Sequence, residues 1–133
     1  EFRRVLFRSL IVYGKVDRLI FVGGIAFPFL KMQGHNVDNC MFEEDQDSRT
    51  LALYSATVVL ELAKGYGVDV VLPVDHLMAK PTGLNPENVK VNKISGKFSR
   101  LKAYDIGPGT LSLIQKKDAG CKNHSLQWNC WKI

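Results

Sequence analysis

Val16-Asp17-Arg18-Leu19-Ile20-Phe21-Val22-Gly23-Gly24-Ile25-Ala26-Phe27-Pro28-Phe29-Leu30-Lys31 is the stretch that decides the fold. An apolar run ends abruptly in two glycines, and a second apolar segment with helical spacing follows. The run over 16–22 reads as a strand buried on both faces, the kind found in parallel sheets. Paired glycines at its end leave bare backbone that a flat or charged ligand can approach closely. The same pair also serves as a plain strand-to-helix turn, so both readings stand. A short helix is expected over 25–33, with Ala26, Phe29 and Leu30 on one face. Pro28 falls in its first turn, where a missing donor costs little, and Gly34 ends it.

Working outward, Phe42-Glu43-Glu44-Asp45-Gln46-Asp47 opens a long helix expected to run to about Lys64. Acidic residues in a first turn suit the positive end of the helix dipole. Leu51, Leu53, Ala56, Val59, Leu60 and Ala63 supply its apolar face. Gly65-Tyr66-Gly67 stops it. Residues 68–72 form a second buried strand, ended by Pro73. Strand, helix and strand in that order argue for a parallel α/β sheet. Residues 80–88 are rich in turn formers, and Val89, Val91 and Ile94 suggest a short excursion strand in a hairpin. Residues 102–106 read as another strand. Gly107-Pro108 then starts a helix that continues over 110–117, Pro suiting its first position.

Three cysteines, Cys40, Cys121 and Cys130, are odd in number and far apart. They fit reduced cytosolic thiols better than a disulfide frame or a zinc site. His35, His76 and His124 lack metal-ligand spacing. The formal charge of +5 is uneven along the chain. Without residues 1–9 and Lys132 it falls to 14 basic against 12 acidic residues. That balance, with no basic-aromatic interleaving, gives no case for a nucleic-acid partner. No run is long and apolar enough to suggest a membrane span.

Ligands of open α/β sheets bind beyond the carboxyl ends of the strands. Three such ends are legible: Gly23-Gly24, Pro73-Val74-Asp75 and Asp105-Ile106-Gly107. Their convergence would make a pocket for a flat heterocycle, lying on glycine backbone among apolar side chains. Asp75 is a candidate general base, or a brace for a neighbouring turn. Asp105 reads as a cap for the helix at Pro108. Glu43, Glu44, Asp45 and Asp47 read as a solvated helix start.

Four ordered blocks resemble the nucleotide-binding half of phosphoglycerate kinases. The first is the opening stretch, where the family reads Lys-Val-Asp-x-Leu-Ile-x-Gly-Gly-x-Met-Ala-x-x-Phe-Leu-Lys. The others are Phe42-Glu43-Glu44-Asp45, Val70-Val71-Leu72-Pro73-Val74-Asp75 and Asp105-Ile106-Gly107-Pro108. The resemblance covers about residues 10–122. It implies a parallel, Rossmann-like three-layer α/β fold, incomplete here, and a pocket for the adenosine of ADP or ATP. Gly23 and Gly24 would lie under the adenine, with Phe27 as a pocket residue and Met41 as an apolar wall. Ala103 and Tyr104 stand where the family has a Gly-Leu pair on the opposite wall. Phe27 and Met41 are equally well explained as core residues.

The reaction the resemblance implies moves a phosphoryl group between 1,3-bisphosphoglycerate and ADP, giving 3-phosphoglycerate and ATP with Mg2+. A monomeric, cytoplasmic, glycolytic transferase is implied for the parent enzyme. The family's Gly-Gly-Ala-Lys and Gly-Gly-Gly-Asp segments do not occur in these residues, nor does an intact Asn-Gly-Pro loop. The Mg2+ site is therefore expected elsewhere, no catalytic residue is assigned, and the 133-residue chain alone is expected to be inactive. The alternative is a non-catalytic nucleotide-binding or interaction α/β module.

Both ends depart from the family. Residues 1–9, Glu1-Phe2-Arg3-Arg4-Val5-Leu6-Phe7-Arg8-Ser9, resemble a translated cloning linker, Glu-Phe being what GAATTC encodes. They are set aside from fold reasoning, the alternative being a genuine amphipathic lead-in. Residues 10–122 form the partial nucleotide-binding domain. Residues 123–133 read as a frameshifted tail. Skipping one base at the Asn123 codon permits Thr-Ile-Leu-Tyr-Asn-Gly-Ile-Ala-Gly-Lys, which restores a family-like loop. Uncovered sheet edges are expected to make such a piece fold poorly alone.

Overall fold

The computed structural model describes residues 2–14, 16–41, 45–82, 85–94, 98, 100–121 and 130–132. The elements in chain order are α1 (Phe2–Val12), β1 (Arg18–Ile20), α2 (Ala26–Met32), α3 (Gln46–Tyr66) and β2 (Asp69–Val71). Then come β3 (Asp75–Ala79), β4 (Glu87–Lys90), β5 (Lys102–Ile106), α4 (Pro108–Cys121) and β6 (Cys130–Lys132). The fold is α/β with a parallel sheet, in the order β2-β1-β6. In its register Arg18 faces Asp69 and Ile20 faces Val71.

The glycine-ended run behaves as its composition requires. Leu19, Ile20 and Phe21 are fully buried, since helices and loops cover both faces of β1. The strand proper is shorter than the 16–22 expected. The chain turns at Gly23–Ile25, a single 3-10 turn, and enters α2. All five residues from Ala26 to Leu30 are buried. This helix lies between two apolar clusters. Ala26 and Phe29 join Phe7, Ile11, Leu19, Phe21, Val59 and Ala63 in one. Phe27 and Leu30 join Val37, Met41, Met78, Val89 and Val91 in the other. Ala26 and Leu30, one turn apart, stay on one side of the helix, yet Leu30 packs into the second cluster while Ala26 and Phe29 pack into the first.

The long helix starts later than the acidic run suggested. Asp45 caps it: its carboxylate accepts from the Ser48 amide and hydroxyl, both at 2.8 Å. These two hydrogen bonds hold Asp45 below the usual carboxylate range. Phe42, Glu43 and Glu44 lie outside the described residues. The helix passes Gly65 and ends at Gly67, whose φ of 71° needs the left-handed conformation glycine tolerates.

Two further differences bear on the core. Residues set aside on composition form α1, which packs against α3. Phe7 and Ile11 are buried, and Phe7 meets Phe21 edge-on at 5.3 Å. Phe21 in turn stacks on Phe29 at 4.3 Å. Second, the excursion is a three-stranded antiparallel sheet, β4-β3-β5. Its middle strand, β3, has no counterpart in the sequence reading. The expected strand near Val89 is β4, and Val91–Lys93 forms a 3-10 turn.

At the amino ends of β1 and β2, Arg18 Nε donates to Asp69 at 2.8 Å and its Nη1 to the Lys117 carbonyl at 2.9 Å. Lys117 Nζ reaches the same carboxylate at 3.3 Å. This cluster fastens the body of α4 to the parallel sheet. From residues expected to lie in a frameshifted tail, the backbone of β6 pairs with β1, Arg18 opposite Cys130.

Candidate functional site

A cleft of about 250 Å3 opens where β1 ends and β5 runs past it. Val22, Gly23, Gly24, Phe27, His76, Ala103, Tyr104, Asp105 and Ile106 line it. Five of the six residues expected at the base pocket thus come together: Gly23, Gly24, Phe27, Ala103 and Tyr104. Met41 does not line the cleft; it is buried in the same apolar cluster as Phe27.

Each wall has a local cause. Gly23 adopts φ 72°, and a Cβ built there meets nothing within 4 Å. The conformation calls for glycine, and the space before it is open. Phe27 reaches the cleft because α2 begins directly after the glycine turn. Ala103 and Tyr104 are consecutive, and on a regular strand they would face opposite sides. The pairing of β3 with β5 shifts between Leu77 and Met78: Leu77 faces Asp105, while Met78 faces Ala103. Tyr104 is the extra residue of this bulge, and bulges re-aim side chains. Both residues therefore line one cleft. The Tyr104 hydroxyl donates to the carbonyls of Lys80 and Pro81, at 3.1 and 3.2 Å. That anchors the ring along the cleft's outer wall.

The three strand ends converge only in part. Gly23-Gly24 and Asp105-Ile106 share the cleft. Pro73, Val74 and Asp75 line a different, larger cavity of about 570 Å3, with Gln33, His35, Lys90 and Asn92. The smaller cleft has the paired glycines Gly23 and Gly24 in its wall and holds five of the six residues expected at the base pocket.

Asp75 braces rather than faces the cleft. One carboxylate oxygen accepts from the Thr110 amide at 2.8 Å, the other from the Gly109 amide at 2.9 Å and the Asn88 side chain at 3.2 Å. The Thr110 hydroxyl lies 2.7 Å from the carboxylate and 2.9 Å from the Asp75 carbonyl. Burial pushes the carboxyl up. The hydrogen bonds from Thr110, Gly109 and Asn88 outweigh it and hold the group below its ordinary range. Asp75 is thus the cap of α4. Asp105, expected in that role, accepts instead from the Ile106 amide at 2.8 Å. A Cβ on Gly107 would collide with the Asp75 carboxyl and with Asn88, which explains the glycine.

His76 went unassigned as a site residue in the sequence reading. It is 2% exposed, and its ring lies tilted against Phe27 at 5.1 Å. Neither ring nitrogen has a hydrogen-bond partner among the described residues. Burial pushes its pKa down, partly opposed by the charges of Asp75 and Asp105, so the imidazole stays neutral near pH 7. Among the described residues no group of three His, Cys, Asp or Glu side chains is placed to hold a metal ion. No described helix is long and apolar enough to cross a membrane.

Comparison with known proteins identifies the family and the fold. The family model for phosphoglycerate kinase matches residues 9–129. The phosphoglycerate kinase of Elusimicrobium minutum is 34% identical over 115 residues, covering 86% of this chain and 27% of that protein. That of Campylobacter hominis is 34% identical over 117 residues, covering 86% of this chain and 26% of that protein. The solved structure of phosphoglycerate kinase from Coxiella burnetii superposes with a TM-score of 0.69 at 27% identity, over 86% of this chain and 27% of that one. The chain spans about a quarter of the length of the relatives it matches.

Proposed function

Since the chain belongs to the phosphoglycerate kinase family, we propose that its cleft is the adenosine side of the site for ADP or ATP. The glycine-floored cleft carries this reading: bare backbone at a strand end, facing an aromatic and an apolar wall. Its volume of about 250 Å3 sits just under the roughly 300–1,000 Å3 of sites that enclose drug-sized ligands. That suits a base and part of its sugar rather than a whole nucleotide. Gly23 and Gly24 would lie under the base, Phe27 beside it, and Ala103 and Tyr104 opposite. Met41 would act from behind, in the cluster that seats Phe27.

The reaction we assign to the parent enzyme is phosphoryl transfer between 1,3-bisphosphoglycerate and ADP, a glycolytic step of a monomeric cytoplasmic transferase. Such transfer depends on positioning the moving group and stabilising its charge. The described residues offer no cluster of cationic side chains at the cleft, and Mg2+ would be held by groups other than these. The chain alone is expected to bind nucleotide weakly and turn nothing over.

Isothermal titration with ADP tests the reading, with Gly23→Val as the control. Valine is strained at this left-handed position and adds bulk at a residue that lines the cleft. Binding by the parent chain, lost in a folded Gly23→Val variant, is expected. No ADP binding by the parent chain refutes the site. Turnover of 3-phosphoglycerate and ATP by the 133-residue chain would refute its inactivity.

A further inference from the structure

We propose that His76 is a base-reading residue, hydrogen-bonding the edge of the heterocycle seated on Gly23 and Gly24. The inference rests on the nucleotide reading above and adds to it the group that gives the slot chemical selectivity.

Buried polar side-chain atoms are nearly always paired, and each exception calls for an explanation. His76 presents two such atoms on one ring, both shielded from solvent and both without a partner among the described residues. An aromatic or aliphatic residue would fill this place in the apolar cluster without that cost. The ring is not remote from chemistry. His76 lines the cleft with Gly23, Gly24, Ala103 and Tyr104, and it packs on Phe27, another lining residue.

A neutral imidazole offers one donor and one acceptor. A purine edge offers both kinds of complement. The other walls of the cleft read shape: glycine backbone, a phenyl ring, a methyl group and the Tyr104 ring, whose hydroxyl is already committed to Lys80 and Pro81. Asp105 is the remaining polar side chain of the lining, and its carboxylate accepts from the Ile106 amide. His76 is therefore the lining side chain with both a donor and an acceptor unspent. Both nitrogens are covered in the structure, so a turn about the Cβ–Cγ bond accompanies engagement.

The test uses the full chain labelled with 15N at histidine. Long-range proton–nitrogen spectra follow the His76 nitrogens through a titration with ADP, and separately with inorganic pyrophosphate, which carries no base. Backbone amides of Gly23 and Gly24 are read in parallel. The His76 nitrogens are expected to shift with ADP, saturating together with the glycine amides, and to ignore pyrophosphate. His76→Phe keeps the ring contact with Phe27 and removes both polar atoms. It is expected to weaken ADP binding about five- to tenfold, the worth of one net hydrogen bond, without lowering the Tm. If the glycine amides respond to ADP while the His76 nitrogens do not, the proposal is overturned and the nucleotide site stands. If ADP moves neither, both fall. The spectra of the unaltered chain decide the matter even where His76→Phe fails to fold.

Discussion

Replacing Asp75 by alanine tests how the two halves of the site are joined. The carboxylate serves four donors: the amides of Gly109 and Thr110, the Thr110 hydroxyl and the Asn88 side chain. Their losses differ. Thr110 is fully buried, so its amide would be stranded, at about 1–3 kcal/mol. Its hydroxyl keeps the Asp75 carbonyl, 2.9 Å away, as an acceptor. Gly109 and Asn88 are exposed, so water replaces the carboxylate there and each bond costs about 0.5 kcal/mol. The sum is about 2–4 kcal/mol, which for a chain of this size lowers the Tm by about 8–15 °C.

Urea unfolding followed by circular dichroism reads this directly, and pH supplies a second signature. The folded carboxyl titrates below its ordinary 3.8. Its stabilisation is therefore complete above the unfolded value and is lost as pH falls through the lower, folded one. The gap between the parent chain and Asp75→Ala should be constant near neutrality and close at acid pH. A gap under about 0.5 kcal/mol at pH 7, or one that persists in acid, would refute the bracing role.

Gly107→Ala drives a methyl group into the Asp75 carboxyl and Asn88; a loss of about 2 kcal/mol or more is expected by urea titration, in line with other overpacking. Phe7→Ala removes a buried ring from the Phe21 contact, and about 3 kcal/mol should go with it in the same assay. An unchanged midpoint would mean that α1 contributes nothing to the core. Arg18→Ala removes the bonds to the Asp69 carboxylate and the Lys117 carbonyl from a side chain that is 12% exposed, so thermal melting should show a loss of about 1–3 kcal/mol.

The sequence disclosed some parts of this molecule and hid others for identifiable reasons. The glycine pair was legible because an apolar run that stops on two glycines has few uses. The parallel pairing of β1 and β2 followed from the long amphipathic helix between them. Strand β3 escaped because Pro73 reads as a stop and Asp75-His76 as polar punctuation. Its partners come from far along the chain in both directions: β5 and α4 after it, and Phe27 and Leu30 of α2 before it. Asp75 was recognisable as a brace, but its partners, 34 and 35 residues away, were not. Residues 1–9 were set aside on composition, and composition does not report that Phe7 finds Phe21. His76 gave one weak signal, two places before Met78 on what proves to be a strand. Alternation then puts the two on one face.

The cap of α4 has a bearing on the order in which the chain folds. A 14-residue helix is marginal alone in water because its nucleus is costly, and the first amides of its start have no partner within the helix. The group that completes that start is held on β3, which must first find β4 and β5. Helix α4 is thus conditional on the hairpin sheet: an isolated peptide over 107–121 should be largely coil. In the assembling chain α4 should gain protection from hydrogen exchange no earlier than β3 does. A helix that waits for a strand makes the route to the native state long-range and slow, whatever the local preferences of its own residues.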